Sequence, residues 1–430
     1  LLYSHDGLAL GHCHRNLKIA RHLVHENAGA TALLITGAQY SLGSRLPPGV
    51  DYLKLPTVAG TSSGEFESRG LEVGREVMYE IRASLIKAAV EAFEPDLLIV
   101  DHLPTGAWGE LLPTFERHES AGRRFQLVLG IRDVLDEPAE TQRVWHAQGA
   151  HDAIERYYDH VMVYGDSALV ATASRYAFPD AIAAKLTYCG YIGPGRPAPD
   201  RQQARSELNL GEAKLIVVTG GGGYDAATMM HRSLAALEHV QAAPHRMLLV
   251  AGPMMRGEDV VALRRSARGL AAEVVTETHD LLTLLAAADA VVGMCGYNTV
   301  TEALSLGQRM IVMPRNAVNA LDALRLAAVR GTGDNRHEQG LRAEAFAARG
   351  LVDMIGADAG PKALAAAIDT AIRTAAGPLD TPRLDGLTNV NRVVADLLAG
   401  ARAQGARRLR VAKSGPREPR PPMSVPVNGA

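Results

Sequence analysis

Cysteine is scarce in this chain: Cys13, Cys189 and Cys295 are the three among 430 residues. Three widely spaced thiols exclude a disulfide framework and fit a reducing, cytoplasmic setting. Long apolar runs are missing as well. The longest, residues 281–294, is interrupted by Asp289 and falls short of the ~20 residues a membrane-spanning helix needs. No secretory leader is visible, because Leu1-Leu2-Tyr3-Ser4 meets polar His5 and Asp6 at once. With no initiator methionine and an apolar start, the first strand is expected to be clipped. An excess of one charge is lacking too: the formal net charge is −2, which excludes a general nucleic-acid binder. Two glycine signatures are absent. There is no GxGxxG, which weighs against an NAD-dependent dehydrogenase, and no GK[ST] after the glycine run, which excludes a P-loop.

What is present is a large apolar fraction, 47%, in a length that suggests two or three domains. Residues 274–302 organise the chain. A β-branched run ends at Thr276, a polar loop opens a Leu/Ala helix, a second apolar run covers residues 290–292, and a glycine turn leads into another helix at Tyr297. Strand, helix, strand, helix is the grammar of a parallel α/β sheet. The same alternation fills both halves. Strands are expected at residues 1–4, 32–36, 97–100, 127–129 and 161–163, with helices at 15–24 and 75–93. After a Gly/Pro-rich linker at 190–201, strands are expected at 215–218, 247–250, 310–313 and 352–355, with helices at 342–348 and 390–398. Residues 60–74, polar and Gly-rich, read as a mobile loop. The fold class expected is α/β, two Rossmann-like domains facing across a cleft. Residues 1–190 form an acceptor-side domain, 191–375 a second domain, and 376–400 a closing helix. Residues 401–430 carry seven Lys/Arg and one Glu, so the rest of the chain holds −8 of the total of −2. This tail is expected to be disordered. It can touch anionic lipid at ~1 kcal/mol per basic residue near the surface, or simply be solvated.

In parallel sheets ligands bind beyond the carboxyl ends of strands. Gly296, Tyr297, Asn298 and Thr299 open a helix there, offering free N–H groups and a positive dipole end to an anion. Glu302, three residues on and on the same face, suits vicinal hydroxyls such as those of a ribose. Gly220, Gly221, Gly222 and Gly223 follow another strand. They read either as a phosphate cradle, since backbone without side chains approaches a diphosphate closely, or as a tight turn. Gly11-His12 sits at the first strand-to-helix loop. His12 reads as a general base for a hydroxyl, or as a ring that caps its helix. Asp101 and the pair Arg132-Asp133 end strands in the first half and either orient an acceptor or form rim salt bridges. Arg315 reads as a phosphate or sugar contact, or as a solvated charge. His12-Cys13-His14 invites a zinc reading, but adjacent residues point to different sides and no second cluster completes four ligands, so no metal is expected.

These residues resemble the GT-B nucleotide-sugar glycosyltransferases, close to the MurG-like branch (glycosyltransferase family 28, C-terminal type). They resemble still more the bacterial predicted glycosyltransferase proteins that share its donor domain. The family's G-x-x-T-x-x-E reads here as Gly296-Tyr297-Asn298-Thr299-Val300-Thr301-Glu302. The resemblance implies that residues 296–299 face a diphosphate and that Glu302 holds the ribose. It implies that His279 lies beside the base, that Gly220–Gly223 form the phosphate loop, and that Gly11-His12 is the catalytic-loop pair; Asp101, at its strand end, is grouped with His12 as catalytic on its position. The family's acidic/amide pair, which touches sugar hydroxyls, falls on Glu338-Gln339, displaced by an insertion at residues 316–335. The implied activity is inverting, metal-independent transfer from a nucleotide-diphosphate sugar, UDP-linked, to a glycan, lipid-linked or small-molecule hydroxyl. No cofactor is implied, and peripheral membrane contact is allowed. A sugar-nucleotide 2-epimerase and a non-catalytic nucleotide-sugar-binding protein are the alternatives.

Overall fold

The computed structural model describes residues 1–5, 10–38, 46–60, 66–123, 125–276, 278, 280–314, 338–356, 359–374 and 380–403. His279 and Arg315, the segment 316–335 and the basic tail from residue 404 lie outside the described residues.

Among the described residues, short β-branched and Leu-rich runs form fifteen strands: β1 (Leu2–Ser4), β2 (Ala32–Thr36), β3 (Val50–Lys54), β4 (Val58–Gly60), β5 (Phe66–Ser68), β6 (Leu97–Asp101), β7 (Gln126–Arg132), β8 (His160–Tyr164), β9 (Leu186–Tyr188), β10 (Lys214–Thr219), β11 (His245–Val250), β12 (Ala272–Val275), β13 (Ala290–Gly293), β14 (Met310–Val312) and β15 (Val352–Met354). The first sheet has the order β3-β2-β1-β6-β7-β8-β9 and the second β12-β11-β10-β13-β14-β15. Every pairing within these two sheets is parallel. In each sheet the chain starts in the middle, winds out to one edge, then returns and winds to the other. The reversal leaves a crevice between β1 and β6 in the first sheet and between β10 and β13 in the second, where such sheets take ligands.

Burial on both faces explains why the central strands read as continuous apolar runs. Alternate residues of β1 go to opposite sides: Leu2 joins one cluster, while Leu1 and Tyr3 join another. In β10, Leu215 and Val217 face one way and Ile216 and Val218 the other. One apolar cluster is common to both sheets. It takes in Leu34, Val128 and Met162 of the first, Val217, Val291 and Val312 of the second, and Tyr191, Ile192, Tyr297 and Phe346 between them. The closing helix, Gly386–Ala403, returns to the first half, where Asn391 accepts a hydrogen bond from Asn27 at 2.8 Å and Asn389 donates to the Cys189 carbonyl at 2.8 Å.

Two regions differ from the sequence expectation. The stretch read as a mobile loop contains β5, which pairs antiparallel with β4, and Trp108 fixes it by donating from Nε1 to the Phe66 carbonyl at 3.1 Å. The first helix runs Gly11–Glu26, so Gly11 and His12 begin the helix rather than end a loop.

Phe346 of the helix Glu338–Ala347 is fully buried, and its ring stands edge-on to Tyr191 at 5.6 Å. Phe346→Ala is expected to cost about 3–5 kcal/mol in urea unfolding. A loss below about 1 kcal/mol would show that this junction is not closely packed.

Candidate active site

The carboxyl end of β6 delivers Asp101 and the first turn of the Gly11–Glu26 helix delivers His12, across the crevice between β1 and β6. His12 Nδ1 lies 3.1 Å from Asp101 Oδ2, and both side chains are almost wholly buried. The carboxylate can only accept, so the Nδ1 proton lies between them and the free lone pair is at Nε2; this tautomer is assigned from charge. Burial holds the His12 imidazole below its usual range, with Asp101 pulling the other way. Burial alone would raise the Asp101 carboxyl; Arg15, then His12, hold it well below the usual carboxylate range. Two more rings flank His12: His5 at 5.0 Å and His102 at 5.2 Å between centroids. His102 carries φ +72°, a left-handed backbone rare outside glycine that turns the chain sharply after Asp101. Phe66 of β5 closes the wall, edge-on to His5 at 5.9 Å. His14 is exposed while His12 and Cys13 are buried, so the three do not converge.

Opposite this pair stands the helix Tyr297–Ser305, whose start follows β13. Asn298 Nδ2 donates to the Gly11 carbonyl at 3.1 Å, so the starts of the two helices touch across the cleft. Thr299 is buried, with its Oγ1 3.6 Å from where a Cβ on Gly221 would stand. Gly296 has open space around it. Glu302 accepts from Lys18 Nζ at 2.8 Å, with both side chains about 15% exposed.

The four glycines divide by cause. A Cβ on Gly223, at φ +86°, would lie 1.7 Å from the Ala251 carbonyl oxygen, and one on Gly220 would lie 2.2 Å from the Ala226 Cβ. Packing therefore demands glycine at both. A Cβ on Gly222 meets only the Met254 sulfur at 3.6 Å, and Gly221, at φ +68°, meets only Thr299. The tight-turn reading thus accounts for the outer pair, and the inner pair is the part open to a ligand.

Arg132, Asp133 and Glu338 are brought together, but with each other. Arg132 Nη1 donates to Glu338 Oε2 at 2.6 Å, and Arg342 donates to Asp133 Oδ1 at 2.9 Å and to the other Glu338 oxygen. Tyr191 donates its hydroxyl to Asp133 Oδ2 at 2.9 Å. Both oxygens of Glu338 are therefore occupied by guanidinium groups, and the cluster bridges the two halves of the chain. Gln339 beside it is half-buried. Sequence reasoning missed Arg15, Lys18 and Arg342. Their signal was helical spacing: Arg15 stands three residues after His12 and Arg342 four after Glu338, hence on the same faces.

Away from this cleft, a cavity of about 520 Å³ lies among the helices Ala227–Leu237, Gly257–Ser266 and Pro361–Arg373, lined by His231, Arg232 and Arg256 among others. Those helices pack on the opposite face of the second sheet from the Tyr297 helix. Among the described residues no group of three or more His, Cys, Asp or Glu side chains is placed to hold a metal ion. Among them, too, no helix is long and apolar enough to cross a membrane.

No protein-family model matches the chain, and no curated protein sequence does. Solved structures match over nearly its whole length. The glycotransferase of kitacinnamycin is similar at 17% identity with a TM-score of 0.54, covering 93% of this chain and 97% of that one. MurG of Acinetobacter baumannii is similar at 13% identity and 0.50, covering 93% and 98%. The UDP-GlcNAc 2-epimerase of Methanocaldococcus jannaschii is similar at 10% and 0.56, covering 93% and 98%. Likeness at such identities is one of fold, and the fold is GT-B: two Rossmann-like domains facing across a cleft.

Gly223→Ala is expected to destabilise by about 2–4 kcal/mol through backbone overlap and strain, whereas Gly222→Ala should stay within about 1 kcal/mol. Equal losses in thermal unfolding would contradict the packing account. Acid should weaken the fold early. Burial lowers His12 and His160 and brings His118 down to about 4. As pH falls below the unfolded histidine value of ~6.5, the unfolded chain binds protons that the folded one refuses, so stability drops until the folded values are passed. Urea midpoints at pH 8 and 5.5 check this; equal midpoints would contradict it.

Proposed function

With the GT-B fold as premise, we propose that this chain is a glycosyltransferase, moving a hexosyl group from a nucleotide-diphosphate sugar, UDP-linked, to a hydroxyl acceptor with inversion and without a metal ion. One observation carries the reading. The buried His12–Asp101 pair at the crevice of the first sheet stands directly across the cleft from the start of the Tyr297 helix in the second. In this reading His12 supplies a base and the helix start an anion seat on facing sides of the cleft.

In this mechanism the acceptor O–H proton passes to His12 Nε2 as the acceptor oxygen attacks the anomeric carbon. The bond from that carbon to the diphosphate breaks on the opposite side, which inverts the centre. Asp101 orients the imidazole and stabilises the imidazolium that forms. The leaving diphosphate gathers charge as it departs. N–H groups at the start of the Tyr297 helix, with that of Gly222, meet that charge already oriented, whereas the Gly221 N–H donates to Thr219 Oγ1 at 3.2 Å. Glu302 takes the ribose hydroxyls after Lys18 releases it. Residues 1–190 hold the acceptor and 191–375 the donor in this reading. Arg132, Asp133, Glu338 and Gln339 then act by setting how the halves meet rather than by touching sugar directly. His279 stays assigned to the donor on the resemblance alone, and Arg315 on its place after a strand end in the sequence. A cytoplasmic location, with peripheral membrane contact through the basic residues after 401, belongs to the same proposal.

Thermal unfolding against UDP, GDP, dTDP, CDP and NADH tests the donor assignment. One nucleoside diphosphate at 100 times its dissociation constant is expected to add about 2.7 kcal/mol to a two-state domain. A response to NADH alone would overturn it. His12→Ala is expected to abolish transfer while leaving that nucleotide response intact, and unchanged transfer would remove His12 as the base. Sugar epimerised with no acceptor present would favour a 2-epimerase. Nucleotide-sugar binding without turnover across an acceptor panel would favour a non-catalytic binder.

A further inference from the structure

One buried charge at the centre of the site has no part in the chemistry above. Arg15 lies one turn after His12 on the same helix, with its side chain 1% exposed. Its Nη2 donates to both oxygens of Asp101, at 2.6 and 2.7 Å, and stands 3.0 Å from His12 Nδ1. The guanidinium is held from the other side by two rings. Tyr164 of β8 and Tyr297 of the second domain have centroids 5.5 and 5.3 Å from its central carbon. A planar, permanently charged fork lying over two aromatic rings is difficult to replace by any other side chain.

An Asp–His pair alone tends to keep a proton on the imidazole, because the carboxylate has no other cation to face. Here Asp101 already faces one. A protonated His12 would be a second buried cation beside a single carboxylate. The other groups that face His12 among the described residues are His5 at the end of β1, His102 after β6 and Arg132 at the end of β7, none of which carries negative charge.

We propose that Arg15 is a positioning residue for His12: by neutralising Asp101 without displacing it from Nδ1, it keeps the imidazole an uncharged base whose lone pair is at Nε2. This rests on the reading of His12 as the base and deepens it. Tyr297, the first residue of the donor-side helix, helps hold the guanidinium, so the base is set by the domain that brings the donor. Arg15 touches neither substrate in this account and acts through Asp101 and His12.

The test is an NMR titration of the His12 ring in the full chain labelled with ¹⁵N-histidine, with the resonance assigned by its loss in His12→Gln. Arg15→Met is expected to raise the His12 midpoint by about one pH unit or more, because Asp101 is left with the imidazole as its partner. Arg15→Lys keeps a charge, but its shorter stem brings the ammonium less close to Asp101 and loses the planar group that lies over the two rings, so a smaller rise is expected. The acid limb of kcat should move up in parallel. An unmoved midpoint in Arg15→Met overturns the proposal, and so does an unmoved midpoint in Arg15→Lys if the Met variant fails to fold. The titration needs no substrate, so its outcome is separate from the fate of His12 as the catalytic base, which His12→Ala decides by transfer.

Discussion

Three arginines, Arg15, Arg82 and Arg342, are among the most deeply buried large side chains, and each is tolerated only because a carboxylate lies beside it. Arg15 faces Asp101, Arg82 faces Glu110, and Arg342 faces Asp133 and Glu338. An isolated buried charge is prohibitively costly, whereas a paired one roughly offsets its own desolvation. Such pairs add little stability over apolar residues of the same size. Their consequence is selective: an arrangement that separates the partners leaves charges unpaired in an apolar interior. Two of the three sets meet at Tyr297, whose ring has Arg15 at 5.3 Å and Arg342 at 5.5 Å. The relative placing of the two halves, the orientation of His12 and the start of the Tyr297 helix therefore follow from one electrostatic requirement.

The cleft acquires its chemistry from topology. Both sheets reverse direction at their centres, and the reversal in each leaves strand ends whose backbone faces open space. In the first sheet these ends carry His5, Asp101 and His102; in the second they carry the glycine run and residues 294–299. Apolar packing continuous from sheet to sheet through Tyr191, Ile192 and Phe346 brings the two crevices face to face. The Lys18–Glu302 and Arg132–Glu338 bridges then span the seam. A ligand that claimed Glu302 would have to displace Lys18, so occupancy of the cleft and the seam between the halves are coupled.

The interior of the fold was legible in sequence because buried parallel strands are apolar without interruption. Residues 32–36 and 97–100 were read as strands to within a residue of β2 and β6, and the helix Arg75–Phe93 was read with its observed ends. The edges were not. Val50–Lys54 and Leu186–Tyr188 are the outer strands of the first sheet and have half-exposed patterns with polar residues among the apolar ones. The β4–β5 hairpin was missed because Gly60 and its polar neighbours carry no alternation, and Trp108, distant in sequence, supplies part of what pins it.

Sequence alone determined that parallel α/β units are repeated on both sides of residue 190, and that His12, Asp101, the glycine run and the turn before Tyr297 stand at strand or helix ends. Local apolar periodicity and glycine placement are sufficient for that, because they act within a few residues. Tertiary structure decided which of those ends meet. His12 finds Asp101 89 residues away and Asn298 finds Gly11 287 residues away. It also decided that Glu338 and Asp133 answer buried arginines. Pairing between charges so far apart in the chain depends on which strand ends the two sheets bring together, and no local pattern carries that information.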